Sequence, residues 1–278
     1  MLYVCATPIG NLDDVTLRVL DTLGVVSLIA AEDTRRTRKL LARFDIHTPM
    51  TSLFAHNEPE KTEYVLGLLR EGRDVALVTD AGLPGVSDPG LRLVAAAAAE
   101  GLPLTVLPGP SAPVTALVAS GLATDRGFRF VGYLPRRAAE LRAAASEWRR
   151  CGTVIVAFDT GPRLARSLAE LAAVAPDASG AVCRELTKVH EEVARGTLAE
   201  LSTRFTGEAR GEVTLVIDLG PVTDDQSAAA AEAEARTRAA ALRDSGLSRR
   251  DAAAALAVCL GLRRNEAKRL VDEVFPRD

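Results

Sequence analysis

Between Leu2 and Leu219, short apolar runs rich in β-branched residues alternate with longer amphipathic or Ala/Leu-rich runs. That alternation narrows the fold more than any other feature, because strands separated by helix-length segments pair in parallel with helices packed on the sheet. Strands are expected at Leu2–Ala6, Val25–Ala30, Val75–Thr79, Leu104–Leu107, Arg129–Val131, Thr153–Phe158, Ala181–Arg184 and Val213–Leu219. Helices are expected near Leu12–Leu23, Thr34–Phe44, Pro59–Glu71, Leu91–Glu100, Ser111–Gly121, Ala138–Arg150 and Leu164–Val174. The stretch Asp125–Pro135, with RGFRFVGYLPRR bracketing a short strand, marks a junction between two α/β lobes. A chain of 278 residues has room for two such cores.

Past Leu219 the strand signal ends. GPVTDDQSAAAAEAEA reads as a linker entering an Ala-rich helix, and SGLSRRDAAAALAVCLGLRRNEAKRLVDEVF as two short helices joined at Gly261. Ser248 and Asp251 have capping-box spacing, Gly261 suits a position just past a helix end, and Ala267, Leu270, Val271 and Val274 form one apolar stripe. Seven Arg or Lys face five acids from Ser248 onward. This locally basic hairpin is read either as a solvated amphipathic tail or as an RNA-facing module.

The net charge of −3 excludes wholesale electrostatic attraction to nucleic acid, so any RNA contact must rest on a local basic surface. Cys5, Cys151, Cys183 and Cys259 are far apart, which argues against a zinc site or a disulfide framework and for a reducing compartment. LYVCAT opens the chain without a signal-peptide pattern. Residues 102–124 carry no charge, but Pro103, Pro108, Pro110 and Pro113 break them into strand, loop and helix rather than a membrane span. A soluble, cytoplasmic protein is expected.

Three strands run into loops shaped by proline and glycine: ATPIGNL (6–12), TDAGLPGVSDPG (79–90) and LPGPSAP (107–113). Ligands bind outside the carboxyl ends of strands in open α/β sheets, so three such loops suggest one pocket. No G-x-G occurs in the chain, and none of the four lysines follows a glycine, so the dinucleotide and P-loop fingerprints are absent. A nucleoside with few charges fits better. Asp80 is placed to take ribose hydroxyls or an ammonium, Asp88 is read as bracing its own loop, and Ser111 as capping the next helix. AAEDTRRTRKLL, FAHNEPE and CRELTKVHEE gather further polar residues, for each of which a surface ion pair or helix cap is the simpler explanation. There is no G-x-S-x-G and no H-E-x-x-H, so neither a nucleophile triad nor a catalytic metal is expected.

Taken together, TPIGNLDDVTLRVLDTLGVVSLIAAEDTRRTRKLL, VTDAGLPGVSDPG, LPGPSAPVTALVASGL, GYLP and RELTK resemble the tetrapyrrole-methylase superfamily. Within it they resemble the ribosomal RNA small subunit methyltransferase I family, in order from Leu2 to about Leu219, and the C-terminal hairpin resembles that family's extra domain. The resemblance implies a two-lobed α/β fold with a mostly parallel sheet in the first lobe. Its lobes would span 1–123 and 124–221, with S-adenosylmethionine in the cleft between them and a C-terminal helical domain at 232–278. It implies methylation of a cytidine 2′-hydroxyl at the decoding centre of 16S rRNA, on naked RNA or the 30S subunit, by a homodimer.

By position, the resemblance implies a donor site of Pro8, Ile9, Asp80, Leu83, Ser111, Ala112, Phe158 and Leu186. Candidates for removing the hydroxyl proton are Glu185, Lys188 (if its pKa is depressed) and His56, with Asn57 and Glu58 as further polar candidates. Candidates for RNA contact are Arg35, Arg36, Arg136 and Arg137, together with Arg263 and Arg264 of the hairpin. The chain departs from the family pattern at Leu83, where Thr is usual, at Phe158 in place of a Tyr-Glu start, and at RGEV (210–213) in place of Lys-Gly-Glu. The rival readings are a tetrapyrrole methyltransferase, which would carry a glycine-rich first loop and no hairpin, and a non-catalytic RNA-binding assembly factor on the same fold.

Overall fold

The computed structural model describes all residues except 208, 210, 221–223, 261, 263 and 276–278, and only the backbone of 224–231, 234 and 264. Leu2–Cys5 (β1) is a run of apolar residues with both ends fully buried, as a strand covered by helices on both faces requires. With β2 (Leu28–Ala31), β3 (Met50–Ser52), β4 (Val75–Val78) and β5 (Leu104–Leu107) it forms a sheet of order β3-β2-β4-β1-β5. Every pairing in this sheet is parallel. The helices are α1 (Leu17–Val25), α2 (Thr34–Arg43), α3 (Glu58–Arg70), α4 (Leu91–Ala99) and α5 (Ala112–Ser120).

In this part of the chain the largest boundary differences from the sequence reading lie at α1 and β2. The Thr16 hydroxyl accepts from Val19 N (3.2 Å), so α1 starts at Leu17 and Leu12–Asp14 forms a 3-10 turn. The helix then runs to Val25, and the strand expected from Val25 begins at Leu28. β3 was not expected; three half-buried residues are too short for a period to show. The uncharged stretch 102–124 divides into β5, a loop and α5, and among the described residues no helix is long and apolar enough to cross a membrane.

The second sheet contains β6 (Phe128–Tyr133), β7 (Val154–Thr160), β8 (Ser179–Arg184), β9 (Glu192–Thr197) and β10 (Glu212–Asp218), in the order β6-β7-β10-β8-β9. Only β6 and β7 run parallel; the other pairs are antiparallel, so a largely parallel arrangement holds for the first sheet alone. Its helices are α6 (Ala138–Cys151), α7 (Gly161–Val174) and α8 (Leu198–Arg204). The polar edge strand β9 and short α8 escaped the sequence reading, although Thr197 and Glu200 form a complete capping box. Trp148 of α6 and Leu164, Leu168 and Leu171 of α7 fill the core on one face. On the other, α5 sets Ala116 and Leu117 against Val156, Ala181 and Val216, so a helix that follows the first sheet covers the second.

The chain divides into two compact units, Met1–Gly220 and Pro221–Asp278. The second contains α9 (Asp224–Asp244), which takes up most of the expected linker, α10 (Arg249–Leu260) and α11 (Arg264–Val274). Ser248 Oγ accepts from Asp251 N (3.2 Å) and bonds Asp251 Oδ2 (2.6 Å) at the start of α10. Ala267, Leu270 and Val271 are buried against Ala235, Ala239, Ala252 and Leu256, with Val274 at the edge. Arg236 and Arg269 both pair with Glu232 and Glu273, which neutralises part of this unit's basic charge internally. Gly261 and Arg263 lie outside the described residues, as does the side chain of Arg264.

Candidate functional site

The first sheet places β4, β1 and β5 side by side, so the three Pro/Gly loops leave one edge as neighbours. They are stitched together: Thr7 N donates to Gly82 O (2.8 Å), Gly82 N to Thr7 O (3.0 Å) and the Thr7 hydroxyl to Thr79 O (3.0 Å), while Ala6 N donates to Leu107 O (3.3 Å) at the start of the third loop. Gly82 sits at φ +80°, where an L side chain is strained, so the second loop turns there at little cost. At the far end of that loop Gly90 has φ +111°, and its N–H is held by Glu58 Oε1 at 2.9 Å.

These loops and the second sheet enclose a cavity of about 330 Å³, within the range of small-molecule sites. Ile9, Ala112, Pro113, Phe158 and Leu186 form its apolar wall, and Tyr133 meets Phe158 edge-to-face at 5.5 Å. Glu32, Asp80, Asp88, Glu212 and the buried Asp159 bring carboxylates, against Arg36 as the cation among the described lining residues. The lining also holds Cys183, whose thiol burial pushes up to about 11.

Of the eight residues expected at the donor, Ile9, Asp80, Leu83, Ser111, Ala112, Phe158 and Leu186 line this cavity, and Pro8 does not. Ser111 occupies the N-cap of α5 without a side-chain cap, which corrects its expected role and leaves the first-turn N–H groups open to a ligand. Asp80 is less free than expected: Oδ1 accepts from Asp33 N (3.1 Å) and Oδ2 pairs with Arg36 Nε (3.3 Å). Asp88, read from sequence as bracing its loop, lines the cavity.

The proton-acceptor candidates stand outside the lining. Lys188 Nζ contacts Glu185 Oε1 (3.0 Å) and Glu212 Oε2 (3.1 Å), and Glu212 N donates to Glu185 Oε1 (3.1 Å). Burial pulls the Lys188 pKa down, but the two carboxylates outweigh it and the net shift is upward, so the ammonium stays charged. The depressed pKa a lysine base needs is therefore contradicted. His56 is exposed, with its ring against Phe54. Asn57 accepts from Phe54 N and donates to Ser52 O, which gives it a turn-holding role.

Of the arginines, Arg35 chelates Asp33 through Nε and Nη2 (3.0 and 2.8 Å), and Arg36 is committed to Asp80. Arg136 and Arg137 are exposed just past Tyr133, and Arg137 pairs with Glu140 (3.1 Å). The sequence reading missed Glu32, Tyr133, Glu212 and Asp88 as cavity residues. Tyr133 lay in plain view in GYLP, but nothing local says that β6 ends beside the cavity.

Asp88 carries a stability prediction. Burial, then the charges of Glu32 and Asp80, raise its carboxyl from an ordinary 3.8 to about 7, while the nearby Thr79 hydroxyl lowers it. A carboxyl that binds its proton more tightly when folded supports the fold in acid and loses that support as pH rises from about 4 through 7. Asp88→Asn is expected to remove this loss: its melting temperature should exceed the wild type's at pH 8 and match it at pH 4. A Tm difference independent of pH would refute the assignment.

Residues 1–202 match the family model described as Tetrapyrrole (Corrin/Porphyrin) Methylases. Ribosomal RNA small subunit methyltransferase I of Micromonospora olivasterospora is 46% identical over 222 residues, 79% of this chain and 71% of that one. The protein of the same name from Synechocystis sp. (strain ATCC 27184 / PCC 6803 / Kazusa) is 42% identical over 264 residues, 92% of each chain. That span reaches into the C-terminal unit. Among solved structures, uroporphyrin-III-C-methyltransferase from Thermus thermophilus superposes with a TM-score of 0.53 at 22% identity, covering 78% of this chain and 94% of that one. A cobalt precorrin-4 methyltransferase gives 0.60 at 18%, covering 79% and 96%. The structural likenesses concern the fold alone. The family match and these relatives, together with the three stitched loops around one cavity, show that the chain belongs to the ribosomal RNA small subunit methyltransferase I family of the tetrapyrrole methylases.

Proposed function

We propose that this protein methylates the 2′-hydroxyl of a cytidine in 16S rRNA, with S-adenosylmethionine as donor, acting in the cytoplasm as a homodimer on the 30S subunit. The observation that carries the reading is the identity of 40–46% to several proteins named ribosomal RNA small subunit methyltransferase I, over 78–79% of this chain. The cavity suits the donor. Its apolar wall matches an adenine ring, the open N-terminus of α5 a carboxylate, and its carboxylates a cationic sulfonium. A polyphosphate cofactor would set its charges against the same carboxylates. When bound, the donor supplies an electrophilic methyl, so the protein has to position the acceptor oxygen and take up its proton.

Within this reading the lobes at 1–123 and 124–221 hold the donor between them, and the helical domain at 232–278 adds RNA contacts through Arg263 and Arg264. Arg35, Arg136 and Arg137 are exposed on the larger unit for the phosphate backbone. The test is transfer of a labelled methyl group to 30S particles from a strain lacking the modification, followed by mass spectrometry of the nucleosides. Ribose-methylated cytidine is expected. No label in the RNA with donor binding intact would favour the assembly-factor reading, and label on a base would overturn the 2′-hydroxyl.

A further inference from the structure

Among the described residues, every titratable group lining the cavity except Asp88 is tied to a charged group or a backbone N–H or is chemically unsuited to accept a proton, whereas Asp88 meets only the neutral Thr79 hydroxyl. Glu32 Oε2 accepts from Asp80 N (3.2 Å). Asp80 holds Asp33 N and Arg36. Glu212 is paired with Lys188. Asp159 reaches the lining from β7, but its side chain is fully buried beside Arg163. Cys183 is a buried thiol whose Sγ lies 3.8 Å from Ala116 O. Tyr133 is held protonated at neutral pH, because burial and the charges of Asp88, Glu212 and Glu32 raise its pKa further. Asp88 has no ion pair among the described residues.

The loop that carries Asp88 is pinned on both sides. Ser87 before it is left-handed (φ +67°), and Gly90 after it is tied to Glu58 and packed against Leu77 so closely that a Cβ would lie 2.8 Å from Cδ2. Across the cavity mouth, a Cβ on Gly132 would stand 3.5 Å from Ser87 Oγ, so the segment bearing Tyr133 borders the same loop. The backbone that carries the carboxylate is thus constrained where this loop meets the strand bearing Tyr133.

We propose that Asp88 is the group that accepts the proton of the acceptor hydroxyl, an inference that rests on the methyl-transfer reading above. The hydroxyl O–H bond breaks with its proton passing to the carboxylate as the O–C bond forms. The C–S bond breaks with its electron pair staying on sulfur, so the donor leaves as a neutral thioether. The surroundings suit a proton acceptor, because burial and the charges of Glu32, Asp80 and Glu212 lift the carboxyl to about 7, near the pH at which a base is most effective. Arg36 is the positive charge among the described lining residues, and it is engaged by Asp80.

The experiment compares full-length wild type, Asp88→Asn and Asp88→Glu. It measures single-turnover methyl transfer to unmodified 30S particles across pH, donor affinity by calorimetry, and proton binding of the free protein by titration. Asp88→Asn is expected to slow transfer by about 10²-fold or more and to abolish a rate inflection near pH 7. Donor affinity should be retained, one group should vanish from the titration near neutrality, and Asp88→Glu should recover part of the rate. A wild-type-like rate in Asp88→Asn, a preserved inflection, or loss of donor binding in parallel with rate would each overturn the inference. If the wild type binds donor but transfers nothing to RNA, the reaction itself has been misread and the role of Asp88 falls with it.

Discussion

Gly10→Val is expected to weaken donor binding by about tenfold or more and to cost about 1–3 kcal/mol of stability, the range for overpacking a close contact. A Cβ at Gly10 would stand 2.6 Å from Leu186 O, 2.6 Å from Thr187 Oγ1 and 2.7 Å from Lys188 Cγ. The side-chain atoms can swing aside, but the carbonyl moves only if its loop moves. That loop is already strained, with Glu185 and Thr187 left-handed at φ +49° and +66°. It is fastened to the first loop by Asn11 N donating to Thr187 Oγ1 at 2.9 Å. Leu186, on the cavity wall, would be displaced along with it. Calorimetric titration with S-adenosylmethionine and thermal melting check this. Gly24→Ala in α1, where a Cβ meets nothing within 4 Å, is the control and should be neutral or slightly stabilising. Wild-type donor affinity in Gly10→Val would show that the contact between the loops does not set the cavity wall.

Arg163→Met is expected to cost about 3–5 kcal/mol, the usual penalty for removing one partner of a buried ion pair. Asp159 is 3% exposed, neither of its oxygens has a hydrogen-bond partner, and Arg163 Nη1 lies 3.5 Å away as its compensating charge. Arg163 Nη2 also donates to Leu134 O and Pro135 O, both at 2.9 Å, and so anchors the segment just after Tyr133. Two-state denaturant unfolding measures the loss. The double variant Asp159→Leu/Arg163→Met should recover most of the stability, since no stranded charge remains, but not the anchoring of Leu134 and Pro135. A single variant as stable as wild type would mean that Asp159 is not held as an ion in need of that arginine.

The alternation of strands and helices, the parallel first sheet and the three shaped loops were legible in the sequence because they depend on short-range chemistry. An apolar run such as VALV has to be buried on both faces, and glycine at position 82 permits a turn that few residues tolerate. The likeness of the motifs to a methyltransferase family was equally visible. What escaped depends on pairings distant in sequence. The order β6-β7-β10-β8-β9, the edge strand β9 and the seating of α5 on the second sheet follow from which surfaces bury each other, and no local pattern encodes that.

The same division runs through the site. Sequence by itself determined that carboxylates and glycines gather where strands end. It left open which carboxylates are tied to neighbours and which face the cavity. Only the tertiary structure paired Asp80 with Arg36, closed Glu185, Lys188 and Glu212 into a clasp, and left Asp88 on the lining without an ion pair among the described residues. The reason is physical: a carboxylate's chemistry is set by the charges and burial around it, and here those come from residues up to 124 positions away, as between Asp88 and Glu212.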